Sequence, residues 1–176
     1  FPYLGIILDK HLSWKEHVSS TAAKISKTIG VLNRLKYFLP QYTLKVIYDS
    51  LINCRIKYGL LVWGASSASS RIFSLQKRAI RVISKSKYNA HCDPLFKNLG
   101  ILKLAEDRKL QELKFYFKHG ELPIYVQRDF IATMTSASNR QTRNANVALY
   151  PRFKHEYMRK NLRYSVAKTV NETPLV

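Results

Sequence analysis

The sequence predicts a mostly α fold: packed helices entered from one short β-strand and followed by an extended basic C-terminal tail. Three observations predict it. Apolar residues recur at spacings of three and four through most of the region from residue 13 to residue 117. Pro40, Gly59, Gly100 and Gly120 punctuate that region as helix starts and stops. From about Ile131 onward the composition shifts to Ser, Asn, Thr and Arg. The expected divisions are therefore 1–12 for the strand segment, 13–130 for the helical domain and 131–176 for a partly ordered tail.

The run Tyr3 to Leu8 reads as a short buried strand leaving a sheet whose partners lie upstream. Ser13-Trp14-Lys15-Glu16 has the form of a capping box and predicts a helix start. Val18, Ala22, Ile25, Ile29 and Leu32 then form one apolar face, with Lys24, Lys27 and Arg34 opposite it and an end near Leu39-Pro40. A second helix from Pro40 to Gly59 carries Leu44, Ile47, Tyr48, Leu51 and Ile52 inward. A third, after the Ser/Ala run 65–70, buries Ile72, Leu75, Ala79 and Val82 and leaves Lys77, Arg78, Arg81 and Lys85 outside. Asp93-Pro94 reads as the cap and first position of a short helix closed by Gly100. Leu104, Leu110, Leu113 and Phe117 make a longer one stopped by Gly120.

Composition limits what such a fold can do. The 176 residues include 30 Lys and Arg against 11 Asp and Glu, a formal charge of +19 that a compact domain tolerates best beside a polyanion. Nucleic acid is the first candidate partner. An acidic membrane surface is the rival, but no apolar run is long enough to span a bilayer, and no membrane partner is expected. Eleven Tyr and eight Phe exclude the composition of a disordered chain. Cys54 and Cys92 form no C-x-x-C pair and are expected to be buried and inert in a reducing, intracellular setting. The five histidines show no ligand spacing with them, so no zinc site is expected.

Tyr3-Leu4-Gly5-Ile6 with Leu8-Asp9, then Leu12-Ser13-Trp14-Lys15 and His17, resembles the palm–thumb junction in reverse transcriptases of jockey-like LINE (non-LTR) retrotransposons. Later pieces match in the same order: Leu35 to Pro40, Tyr48-Asp49-Ser50-Leu51-Ile52, Tyr58-Gly59, Val62-Trp63-Gly64, and Leu75-Gln76 leading to Arg81-Val82-Ile83. The resemblance continues through Leu99-Gly100-Ile101-Leu102 to Thr142-Arg143 and Asn171-Glu172-Thr173-Pro174, although Val170 stands where that family has Trp. It implies a C-terminal fragment running from the last palm motif through a helical thumb, which fits a chain opening on Phe1 rather than Met. It implies RNA template and DNA primer as partners, together with the palm and fingers upstream in the same parent chain. A nuclear location fits such an element.

The resemblance also assigns roles. Tyr3, Leu4 and Gly5 correspond to the motif that presses the primer end toward the active site. The family's magnesium-binding carboxylates come from motifs amino-terminal to Tyr3, so this segment is expected to hold no catalytic or metal-binding residue, to carry no cofactor and to be inactive alone. Lys24, Lys27, Arg34, Lys77, Arg78 and Arg81 are expected on phosphates of the template–primer duplex. Arg140, Arg143, Arg152 and Arg163, interleaved with Tyr150, Phe153, Tyr157 and Tyr164, suit a single strand. A solvated basic face gives the same pattern, and a free-standing basic module for RNA or DNA is the alternative reading.

Overall fold

The computed structural model describes residues 1–118 and 161–173. It is mostly α with a short N-terminal β element, as expected. Two compact units are formed by Phe1–Arg108 and Lys109–Val176. The expected division at residues 130 and 131 lies outside the described residues.

The N-terminal segment is a hairpin rather than a single buried strand. β1 (Pro2–Tyr3) pairs antiparallel with β2 (Ile6–Ile7), with Tyr3 opposite Ile6. Leu4 and Gly5 both have positive φ, 46° and 79°, which a two-residue connection needs to follow the twist of its strands. Gly5 takes this conformation without a side-chain clash, and the turn leaves Tyr3 and Leu4 exposed.

α1 (Lys15–Leu35) does not use the expected capping box. Asp9 accepts the N–H groups of Ser13 and Trp14, each at 2.8 Å, and Trp14 takes a left-handed conformation with φ 62° as the helix cap. The carboxylate of Asp9 thus takes the Ser13 N–H that the Glu16 side chain was expected to accept. Val18, Ala22, Ile25, Ile29 and Leu32 are all buried, as the periodicity predicts.

α2 (Gln41–Tyr48) runs through a π-helical turn, Asp49–Asn53, into α3 (Cys54–Lys57). Leu44, Tyr48, Ile52 and Ile56 are fully buried, while Leu51, expected inside, is exposed. The physical reason is the period. Apolar residues spaced strictly by four drift about 40° per step around an α-helix at 3.6 residues per turn. A wider π turn rotates the stripe back and keeps it on the core. Ser50 sits in this turn and donates to the Val46 carbonyl at 2.9 Å. Cys54, expected to be buried, is exposed; Cys92 is buried.

Gly59, with φ 62°, breaks the helix and starts α4 (Leu60–Trp63), which buries Trp63. A Cβ at Gly59 would lie 2.7 Å from Ile6 Cδ1 and would displace the end of that side chain, and the positive φ itself favours glycine.

α5 (Ser69–Ile83) buries Ile72, Gln76, Ala79, Ile80 and Ile83. The expected Leu75 and Val82 are half-buried on its shoulder. The stripe is rotated because Gln76 enters the core. Its Nε2 donates to the Tyr48 hydroxyl at 3.2 Å and the Leu102 carbonyl at 3.0 Å, and its Oε1 accepts the Leu104 N–H at 3.0 Å. α6 (Cys92–Leu99) is capped by His91, two residues earlier than the expected Asp93, and ends at Gly100 with the Ile101 N–H on the Phe96 carbonyl at 3.1 Å. Asp93 is instead engaged by Lys103 Nζ at 2.9 Å. This ion pair holds its carboxyl below the ordinary range.

α7 (Leu104–Phe117) begins in the first unit, where Asp107 is buried and faces Lys57 Nζ at 3.8 Å. Its expected stop at Gly120 lies outside the described residues. In the second unit Leu113, Phe115 and Tyr116 pack on Val166, Ala167 and Val170 of α8 (Leu162–Glu172). The buried Glu112 carboxylate accepts the hydroxyls of Ser165 and Thr169. Val170, in the position of the resembling family's Trp, is part of this packed face.

Candidate nucleic-acid interface

Lys24, Lys27 and Arg34 are exposed on α1. At 100° per residue they fall within an arc of about 80°, spread over about 15 Å of helix length. Lys27 and Arg34 point almost directly away from the buried stripe. Between His17 and Tyr48 the sequence has five cations, Lys24, Lys27, Arg34, Lys36 and Lys45, and no carboxylate. No carboxylate pairs with Lys24, Lys27 or Arg34 among the described residues.

Two further arginines flank this face. Arg55 Nη1 donates to Thr28 Oγ1 at 3.0 Å on one side of α1, and Arg71 Nη1 donates to Ser19 Oγ at 3.1 Å on the other. Sequence reasoning missed both. Their proximity depends on how α3 and α5 pack on α1, which no local pattern reveals.

The three α5 cations differ among themselves. Arg78 is exposed, whereas Lys77 and Arg81 are half-buried. Lys77 Nζ lies 4.8 Å from the centroid of the Phe73 ring, and Arg81 Nε donates to the Ala90 carbonyl at 2.9 Å. Arg81 thus holds the connection between α5 and α6. In the second unit Arg163 is half-buried in the first turn of α8, with its N–H on Asn161 Oδ1 at 3.0 Å. Tyr164 is half-buried beside it. Arg140, Arg143, Arg152, Tyr150, Phe153 and Tyr157 lie outside the described residues.

The hairpin carrying Tyr3, Leu4 and Gly5 is pinned to the helices. The Tyr58 hydroxyl donates to the Leu4 carbonyl. The Ile7 N–H donates to His17 Nδ1 at 3.3 Å, and the His17 ring tilts against Trp63 with centroids 6.0 Å apart. Trp63 Nε1 in turn donates to the Tyr58 carbonyl at 2.9 Å. Burial, with a smaller contribution from the charge of Lys24, holds His17 below its ordinary pKa, so the neutral ring that can accept from Ile7 is favoured.

The described aspartates have structural partners. Asp9 caps the loop before α1, Asp49 accepts from Asn53 Nδ2 at 3.0 Å, Asp93 pairs with Lys103, and Asp107 faces Lys57. Among the described residues no three His, Cys, Asp or Glu side chains stand together where they could hold a metal ion. None of the described helices is long and apolar enough to cross a membrane.

The fold and its charge define a mostly α, strongly basic chain with a cationic helix face that no carboxylate among the described residues neutralises. Over 109 residues it is 29% identical to a probable RNA-directed DNA polymerase from transposon BS of Drosophila melanogaster. The matched region covers 59% of this chain and 12% of that protein's length. No protein-family profile and no solved structure matches the chain.

Proposed function

We propose that this chain is the C-terminal, thumb portion of an RNA-directed DNA polymerase of a jockey-like LINE (non-LTR) retrotransposon, gripping the duplex of RNA template and DNA primer. The observation that carries the reading is the outward face of α1, where Lys24, Lys27 and Arg34 meet no carboxylate among the described residues and Arg55 and Arg71 stand on either flank. Cations in this arrangement neutralise phosphates without reading bases, as a polymerase that copies any template requires.

On this reading the hairpin of Tyr3, Leu4 and Gly5 supports the primer end. Its hydrogen bonds with Tyr58 and His17 hold it against the helices. On this reading the two-metal chemistry of polymerisation belongs to palm motifs upstream in the parent chain. Alone, the segment binds and positions.

Equilibrium binding to a blunt RNA–DNA hybrid over a range of salt tests the grip. Replacing Lys24, Lys27 and Arg34 by Gln should flatten the dependence of log affinity on log salt by roughly 0.9 for each phosphate no longer neutralised. An unchanged slope rejects α1 as the grip.

A further inference from the structure

The connection between α1 and α2 and the first turn of α2 present three aromatic rings to solvent. Tyr37, Phe38 and Tyr42 are 76%, 83% and 78% exposed, although large rings are ordinarily well buried. The segment carrying them is firmly built. The N–H groups of Phe38 and Leu39 both reach the Leu35 carbonyl at 2.9 Å, and the Leu44 N–H reaches the Pro40 carbonyl at 3.2 Å. Leu35 and Leu39 pack against the core, so the turn's inward positions are already filled. Lys36 Nζ lies 5.0 Å from the Tyr37 ring centroid, within cation–π range. Arg34 and Lys45 bracket the group in a stretch that contains no carboxylate.

We propose that Tyr37, Phe38 and Tyr42 form a stacking platform for unpaired bases of a single-stranded nucleic acid, whose phosphates are neutralised by Arg34, Lys36 and Lys45. Every base has a π-face, so stacking tolerates any sequence, and only a single strand exposes those faces. The surrounding cations, free of carboxylates, favour a linear polyanion over a protein surface. The proposal rests on the reading that α1 holds nucleic acid, which also favours such a strand over an anionic lipid surface. It adds a site for template that is not yet paired or has been left unpaired.

The test compares binding of the chain to a blunt RNA–DNA hybrid and to the same hybrid with a single-stranded template overhang. The unaltered chain should bind the overhang hybrid more tightly. The combined variant Tyr37→Ala, Phe38→Ala, Tyr42→Ala should lose about tenfold or more on the overhang hybrid and little on the blunt one. A second variant with Leu at all three positions keeps an apolar surface without π-faces and should lose as much.

No gain from the overhang, an equal loss on both hybrids, or full affinity in the leucine variant would overturn the platform. So would phosphatidylserine vesicles that bind the unaltered chain, release the overhang hybrid from it and fail to bind the alanine variant. Failure of the α1 grip shows separately, as absent binding of the blunt hybrid by the unaltered chain.

Discussion

Gln76 donates to the Tyr48 hydroxyl across 3.2 Å inside the helical core, and both residues are essentially inaccessible to solvent. The same amide bridges the Leu102 carbonyl and the Leu104 N–H, so one side chain joins α2, α5 and the start of α7. Burial pushes the Tyr48 phenol up to about 12, so it remains a neutral hydrogen-bonding group at all ordinary pH values. Gln76→Leu strands three polar partners, two of them buried, and should cost about 2–4 kcal/mol. Tyr48→Phe leaves Nε2 its bond to Leu102 and should cost about 1 kcal/mol. Urea unfolding of the two variants checks the ranking, and equal costs would reject Gln76 as the shared hub.

Gln76 also marks the limit of what the sequence reveals. In α1, Val18, Ala22, Ile25, Ile29 and Leu32 lie on the only continuous apolar stripe, and all five are buried. The apolar residues of α5 spread over about half of its circumference, so a narrower stripe can be drawn along either side of that arc. The choice falls to the backbone groups of Leu102 and Leu104, which need a polar partner from a helix distant in sequence. In the second helix a π turn selects Ile56 over Leu51, and such turns leave no period in a short window. The cations of the candidate interface were legible as residues on the outer face of α1. The engagement of Arg81 by Ala90 and the arrival of Arg55 and Arg71 beside α1 were not, because each depends on packing between elements.

Asp9 governs the entry to α1, and protonation should loosen it. Its hydrogen bonds to the Ser13 and Trp14 amides hold its pKa down at about 2. A carboxyl depressed on folding contributes stability that is present above its unfolded value near 3.8 and is lost as pH falls through about 2. Asp9→Asn should therefore lower the melting temperature at pH 7, and the difference from the unaltered chain should close toward pH 2. A difference that persists at pH 2 would mean that Asp9 acts through something other than its charge.

The hairpin should respond to mild acid through His17. Its pKa is lowered on folding, chiefly by burial, so the unfolded chain takes up the proton first as pH falls below about 6.5. Stability from this residue is fully present above that value and declines as pH falls toward the folded pKa. Protonation also removes the Nδ1 acceptor for the Ile7 N–H. Hydrogen exchange at Ile7, corrected for its intrinsic pH dependence, should speed up between pH 7 and pH 5. His17→Asn, which cannot titrate, should abolish the change. A pH-independent Ile7 amide in the unaltered chain would remove His17 as the hairpin's support.

Arg78 and Arg81 are three residues apart on α5, yet their substitutions should separate binding from stability. Arg78 is exposed, and on the proposed reading its guanidinium meets a phosphate. Arg81 is half-buried and supplies the donor for the Ala90 carbonyl. Arg78→Gln should weaken binding to an RNA–DNA hybrid by the increment of one neutralised phosphate, with unchanged melting. Arg81→Gln removes a charged donor from a carbonyl in the connection to α6 and should cost about 1.5–3 kcal/mol of stability. Any effect of Arg81→Gln on binding should then track unfolding and vanish where the variant is fully folded. Melting curves with hybrid titrations at low temperature make the comparison. A folded Arg81→Gln protein that binds weakly, beside an Arg78→Gln protein that binds normally, would exchange the two roles.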